Sequence, residues 1–470
     1  MSPPDPGPAV PLTITTEDGA AEIFVLDGNL QLAARGIGRV GADLPPGIYK
    51  IKRRVALETQ EDLLVHQAPG TAKRYPPLAF SSPAPLALTI EGSDGHAEAA
   101  RRESRVVHVR AGAGSSIFVF ARHWSAGDTP AGADAAAGLR LDTAGGEPVA
   151  DLARQSARGD DGGGPWAACT SEVEPGTYRL SVTMPDGPAF AQALAAVPGW
   201  QTQVFLRART DEPRVDLGSS AIFVVRGTGF DPASPDLRLV EIARQGLVNR
   251  RPVLSDETRE TLRSRLEQPW LGILAGHLFL QEERPDRDLV AAVVRNLRAL
   301  LPVRHPDVEA LALMAGLDTE FRFSLPPMLR PSWNGVVAAT GKRGELVPAG
   351  SPAAALFSKL TNQEPWLIWR EGADADDDVL EIFRSALAQL MTQDTLKDLR
   401  SRIERDLAGD ESRVFSKDVL GSIRGVFRQV RGGIPDTVME VLVSRLGVPR
   451  SAIESMIHDA VRRLRTLGDR

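Results

Sequence analysis

"VEPGTYRLSV", residues 173–182, and "LPPGIYKIKR", residues 44–53, are near-copies of one decapeptide, and each holds one of the three tyrosines in a chain of 470 residues. In both, a Pro-Gly pair precedes an alternating run, Ile48-Tyr49-Lys50-Ile51 and Thr177-Tyr178-Arg179-Leu180. Proline presets the first turn dihedral and glycine tolerates positive φ, so each copy reads as a tight turn feeding a strand. Tyr49 and Tyr178 then fall on a fixed face of that strand, as half-buried packing elements with a wet tip. Further alternating runs surround them: Ala21–Leu26 and Leu63–Gln67 around the first copy, Val106–Val109, Ser116–Phe120 and Thr202–Leu206 around the second. Short strands separated by turn signals describe an antiparallel sandwich, and two sets describe two. The expected fold class is therefore multidomain β + α: two antiparallel β-sandwich domains, residues 1–90 and 91–230, followed by mainly α-helical domains. The sandwiches would be an internal duplication with a period near the 129 positions between Tyr49 and Tyr178. Residues 125–165 are dense in Gly, Ala and Asp, and read as a mobile insertion open to proteolysis.

From Asp236 the apolar spacing lengthens to about 3.6. Ser255-Asp256-Glu257 marks a helix start, Pro269–Leu280 is apolar almost all round and hence an interior helix, and Asp286–Leu301 and Asp307–Gly316 give two more. These fill a helical middle domain, 231–370, whose last part is irregular and rich in Trp and Pro. An acidic tract, Asp374, Asp376, Asp377 and Asp378, opens a C-terminal helical module, 371–470.

The length calls for several cores. A net charge of −6 disfavours nucleic acid as a partner, and one cysteine, Cys169, excludes an internal disulfide and suits a reducing compartment. Met1–Pro8 lacks the basic and apolar stretches of a secretion signal, and no apolar run approaches the ~20 residues of a membrane span. The expected setting is the cytoplasm, with no membrane span.

Candidate chemistry is sparse. His123 follows a strand-like run and precedes Cys169 by 46 positions, the spacing of a Cys/His peptidase. Cys169, however, follows a Gly-rich stretch instead of an apolar strand. Gly335–Lys342 imitates a phosphate-binding loop but has five residues between its glycines and Arg343 where a Ser or Thr must bind magnesium. Gly92-Ser93-Asp94-Gly95 is one residue short of a nucleophile elbow. Asp374, Asp376 and Asp378 open like a calcium loop that Val379 and Ser385 then spoil. His66, His96, His108, His277, His305 and His458 form no ligand pair at metal spacing, and His277 reads as a core side chain. Arg462, Arg463 and Arg465 read as a solvated helix face. No cofactor or metal set is expected, and catalytic residues are expected to be none, with His123 and Cys169 as the alternative.

One resemblance adds to this. Pro175-Gly-x-Tyr178, Pro198-Gly-Trp-Gln-Thr-Gln-Val-Phe-Leu206, Gly227-Thr-Gly-Phe-Asp-Pro232, Arg238-Leu-x-Glu241-x-Ala-Arg244, Pro269-Trp-Leu-Gly-Ile-Leu-Ala-Gly-His277 and Arg304-His-Pro-Asp-Val-Glu309 resemble uncharacterised bacterial proteins associated with caspase-like and trypsin-like peptidases in defence loci. The resemblance spans about residues 170–370 and carries no active site. It implies a protein partner, a caspase-like peptidase or another defence component, and a role as adaptor, regulator or protease substrate. The alternatives are a cysteine peptidase or other hydrolase, and a peptide- or glycan-binding β-sandwich module.

Overall fold

The computed structural model describes residues 8–90, 94–109, 114–123, 133–160, 163–184, 187–208, 215–356, 365–371, 439–440, 443–444 and 447–455. Strands dominate the first half of the chain and helices follow. The first β unit comprises β1 (Val10–Thr16), β2 (Glu22–Leu26), β3 (Leu32–Ile37), β4 (Arg39–Leu44), β5 (Gly47–Val55), β6 (Glu58–His66) and β7 (Thr71–Tyr75). They form two sheets, β4-β1-β7 and β3-β2-β5-β6. Alternate residues of β1, β2 and β5 point between the sheets, where Leu12, Ile14, Ile23, Val25, Tyr49 and Ile51 make one buried cluster.

The second unit comprises β8 (Ser115–His123), β9 (Leu139–Thr143), β10 (Pro148–Asp151), β11 (Ala157–Asp160), β12 (Pro165–Val173), β13 (Gly176–Thr183), β14 (Ala189–Ala196), β15 (Trp200–Ala208), β16 (Val215–Arg226) and the late β17 (Ile368–Glu371). Its sheets are β11-β12-β8-β15-β16 and β10-β9-β13-β14-β17. Without β11, β16 and β17, these orders repeat those of the first unit strand for strand, β12-β8-β15 matching β4-β1-β7 and β10-β9-β13-β14 matching β3-β2-β5-β6. The repeat extends to direction. β1 and β7 pair parallel, as do β8 and β15, so neither unit is purely antiparallel as the alternation alone suggested.

The repeated decapeptide is the point where the chain crosses from one sheet to the other, β4 to β5 in the first unit and β12 to β13 in the second. Each tyrosine closes its corner. Tyr49 Oη donates to the Pro45 carbonyl at 2.8 Å and Tyr178 Oη to the Glu174 carbonyl at 2.7 Å, four residues upstream in both cases. Gly47 and Gly176 are not among the positive-φ glycines, so the corner is shaped by proline and the tyrosine bond and does not depend on a left-handed glycine.

The Gly/Ala/Asp-rich stretch is not the structureless insertion its composition suggests. From residue 133 onward it supplies β9, β10, the short helix α2 (Leu152–Gln155) and β11, and it buries Leu139, Leu141, Ala150 and Leu152. Gly159 on β11 pairs with Trp166 on β12, and a Cβ there would stand 2.5 Å from the indole. That glycine makes room for a ring that stacks on Phe120, a packing role unrelated to flexibility. A helix, α1 (Asp94–Glu103), also precedes β8 where the sequence carried no signal, and Val106–Val109 forms no strand.

The helices are α3 (Pro235–Asn249), α4 (Asp256–Ser264), α5 (Pro269–Leu280), α6 (Arg287–Leu300), α7 (Pro306–Met314) and α8 (Arg330–Thr340). Ser255 and Asp286 cap α4 and α6 through their side chains, and α5 is buried along nearly its whole length. α8 occupies part of the stretch that read as irregular. The 230/231 junction does not divide two cores: Leu180, Phe205, Val240, Leu274, Val293 and Leu311 belong to one continuous cluster. β17, read with the helical region, completes the sheet edge beside β14, and Trp366 Nε1 donates to the Ser220 carbonyl at 2.8 Å. All nine residues of β8 are buried, and His96 of α1 lies edge-on to Phe120 and 3.3 Å from the Arg122 guanidinium. Of the C-terminal module, Met439, Val443, Val448 and Ile453 pack with Trp333 of α8. Most of the remainder, including the acidic tract and the terminal arginines, lies outside the described residues. Among the described residues, no helix is long and apolar enough to cross a membrane.

Candidate functional site

The peptidase candidate does not assemble. Cys169 on β12 sits opposite Val119 on β8, and His123 lies four residues further along β8, about 13 Å away at ~3.3 Å per residue. His123 is 1% exposed and neither ring nitrogen has a partner. Burial holds its pKa below the usual histidine value. Burial likewise pushes the Cys169 thiol up, against a smaller opposing effect of the Ser171 hydroxyl at 3.9 Å. A catalytic thiol needs a neighbouring cation and a depressed pKa, and this pair offers neither.

The other motifs are absorbed by the fold. Gly335–Thr340 is helical, part of α8, where a phosphate loop would need a strand-to-helix turn. Of Gly92–Gly95, the first two residues are outside the described set and the last two open α1. His66 binds the Thr71 hydroxyl and the carbonyls of Val10 and Leu44, and His96 binds the Gly164 carbonyl. Among the described residues no three His, Cys, Asp or Glu side chains group as metal ligands would.

The helical region does bring a serine, a histidine and an aspartate together. His277 on α5 is 2.8 Å from Ser332 Oγ at the start of α8, and Ser332 in turn bonds the Asp307 carboxylate on α7. The order is wrong for nucleophilic catalysis, where the histidine must take the serine proton and the aspartate must orient the histidine. Here the serine hydroxyl donates to the aspartate. Asp307 also accepts from the Met328 and Leu329 amides, both at 3.0 Å, so its role is to hold the approach to α8. Burial raises its carboxyl to about 6, against the pull of these bonds. Two residues on, Glu309 is gripped by Arg298, Arg304 and Thr319. Burial alone would raise its pKa, but those bonds and charges hold it below the ordinary value. The Arg304–Glu309 motif is thus a structural clamp.

A second group of motif residues lines an open cleft. Trp200 at the start of β15, Arg226 at the end of β16, Gly229, Asp231 and the first turn of α3 form one wall, and Arg265–Gln268 with Leu300 forms the other, around about 680 Å³. Two capped helix starts frame it: Ser234 accepts from Leu237 N in α3, and Gln268 accepts from Trp270 N in α5. The Arg226 guanidinium lies over the Trp200 ring, 4.9 Å from its centre. Arg226, Arg265, Asp231, Asp236 and Glu267 line the cleft together with the apolar Val225, Leu237, Leu266 and Leu300. The lining includes no cysteine, histidine or lysine. Sequence reading marked Trp200, Gly229 and Asp231 only through motifs and missed Arg226, Arg265 and Glu267, because they are far apart in the chain and each alone resembles a surface charge.

No protein-family model matches the chain, and no curated protein matches it. A solved structure described as the Bacillus anthracis TIE protein is similar over 48% of this chain and 46% of its own length, at 11% identity and a TM-score of 0.17. This chain therefore spans under half the length of that protein, and a score so low carries no argument about fold or function.

Proposed function

We propose that this chain is a non-enzymatic adaptor, regulator or protease substrate in a bacterial peptidase-linked defence system, built on two β-sandwich modules and acting through protein contacts. The observation that carries the reading is the cleft between β15–β16 and helices α3 and α5: it gathers Trp200, Gly229 and Asp231 from separate motifs of the resemblance, and its walls can bind but not react. Charges of both signs among apolar side chains suit a short extended segment of a partner protein, with a caspase-like peptidase as the first candidate. The separation of Cys169 from His123 supports this reading over a cysteine peptidase. The buried state of Trp166, Trp366 and Trp369 supports it over a glycan-binding module, which would need an exposed aromatic platform.

The test is an affinity capture from the native host, with intact-mass analysis of the recovered chain, run beside an Arg226→Glu, Glu267→Arg double variant. Co-purification of a peptidase, or a shortened chain, that disappears in the double variant is the expected result. Peptide hydrolysis by the purified wild-type chain that is lost in Cys169→Ala would overturn it in favour of the peptidase.

A further inference from the structure

The duplication lets each β unit be compared with the other, residue by residue. Tyr49 faces Leu64 across β5 and β6, and Tyr178 faces Leu194 across β13 and β14, which fixes the correspondence. Lys50 and Leu63 stand where Arg179 and Ala193 stand, Ile48 and Val65 where Thr177 and Ala195 stand, and Lys52 and Glu61 where Ser181 and Ala191 stand. Side chains alternate along a strand, so in both units these neighbours of the corner tyrosine point away from the space between the sheets.

In the second unit that outer face is covered by a later stretch of the same chain. Ala191 and Ala193 are buried in one cluster with Leu356 and Trp369, and Arg179 pairs with the Glu371 carboxylate at 2.9 Å. Trp369 and Glu371 are two residues apart on β17 and so share its outer side. In the first unit no described residue covers the face. Leu63 is 77% exposed, Val65 63% and Ile48 62%. Three large apolar side chains grouped in water on one sheet face mark an interaction site.

The charges on the face narrow the choice of occupant. Arg35, Lys50, Lys52 and Arg54 share it with only two carboxylates, Glu22 and Glu61. Glu61 holds Lys50 at 2.6 Å, and Glu22 holds Arg54 at 2.7 Å and reaches Arg35 at 3.6 Å. Among the described residues Lys52 makes no ion pair. The face therefore has a cation to spare, and its occupant brings a carboxylate, as Glu371 does for Arg179. Because Glu22 and Glu61 are interleaved with the cations, an evenly anionic bilayer meets repulsion at fixed points, whereas a polypeptide can place its charge at Lys52 alone. Glu58, Glu61 and Asp62 guard the free edge of β6, so the occupant lies on the face and not beside the strand.

We propose that the outer face of the β5–β6 ladder docks a segment of a partner protein, with apolar side chains over Ile48, Leu63 and Val65 and a carboxylate on Lys52. Four residues of β5, about 13 Å, separate Ile48 from Lys52, a span of about nine residues of helix or five of extended chain. No residue of the first unit lines the cleft, so this is a second, separate surface that goes beyond the functional reading.

The test places photoreactive benzoylphenylalanine at position 63 of the full chain in the native host. Irradiation is expected to join it to a different polypeptide, at a segment that peptide mass mapping shows to hold both apolar residues and Asp or Glu. A Lys50→Glu, Lys52→Glu double variant is expected to cut the yield about tenfold, since like charges then meet. Both lysines lie on the solvent face, so its far-UV circular dichroism spectrum and melting temperature stay as in the parent, and Lys52→Arg alone keeps the full yield. The same photoreactive group in place of Lys73, on the other sheet, is expected to give no such adduct. The proposal is overturned by the absence of an adduct, by an adduct only with lipid or with a second copy of this chain, by a joined segment without carboxylates, or by a yield that charge reversal leaves unchanged.

Discussion

Replacing Tyr178 or Tyr49 by Phe removes one hydroxyl and nothing else, which isolates the corner bond. Each bond is a neutral O–H···O=C contact, at 2.7 Å for Tyr178 and 2.8 Å for Tyr49, with a net contribution of about 1 kcal/mol. The ring stays in place, so no cavity forms. The abandoned carbonyls belong to Glu174, which is exposed, and Pro45, which is partly so. Water therefore reaches both, and the larger penalty for a stranded buried acceptor does not apply. The two rings pack in separate clusters, so the double variant should lose about 2 kcal/mol, additive within ~0.5 kcal/mol. In scanning calorimetry, Tyr49→Phe in the smaller first unit should lower the melting temperature by about 4–8 °C and Tyr178→Phe in the larger body by about 2–4 °C. A second signature lies in pH. Burial, then the Asp27 charge, raises the Tyr49 pKa, and burial, then the Glu174 charge, raises that of Tyr178. A raised folded-state pKa means that the stabilisation is whole below pH 10 and is lost as pH rises through the folded value. Wild type should therefore lead the Phe variants by a constant margin up to about pH 10 and lose that lead above it. A single Phe variant as stable as wild type, or one costing more than about 3 kcal/mol, would refute the corner argument.

Four further outcomes are expected. Cys169, its thiol pKa raised by burial, should react with an aromatic disulfide reagent at pH 8 at least about tenfold more slowly in the native chain than after denaturation, since the thiolate is the nucleophile. Gly159→Ala should cost about 1–3 kcal/mol in urea unfolding by driving a methyl group into the Trp166 indole, which Phe120 backs from the other side. Asp307→Asn should cost about 1–3 kcal/mol, because an amide cannot accept from both the Met328 and Leu329 N–H groups and the Ser332 hydroxyl as the carboxylate does. Stability should fall as pH drops from about 6.5 towards 4: burial lowers His277 to about 3 and His305 to about 4, so the unfolded chain takes up protons that the fold refuses. Asp307, raised to about 6, works in the opposite sense between about pH 6 and 4 and offsets about one of the two histidines, so His277→Gln should remove most of the acid arm.

The decapeptide copies, the capped helix at Ser255, the buried helix at Pro269–Leu280 and the helix behind Asp286 were legible in the sequence, because turn chemistry, caps and apolar period are local properties. The strand pairs β1–β7 and β8–β15 were not. Their parallel sense depends on which distant segments meet, and alternation is the same for either direction. Composition misled at residues 133–160, where glycine marked space for Trp166 and alanine filled the gap between two sheets, while the same letters in an unpaired segment would mean disorder. Only the tertiary structure could separate Cys169 from His123. A spacing of 46 residues is compatible with contact, but antiparallel register places both on neighbouring strands at different heights. The cleft was equally hidden, since Trp200, Arg226 and Arg265 become neighbours only when the β15–β16 hairpin packs on α3 and α5. The chain by itself thus determined the two corners and the capped or wholly apolar helices, through interactions a few residues long, and left α1, α8 and β9–β11 unmarked. Their partners, and hence every candidate site, were decided by long-range packing.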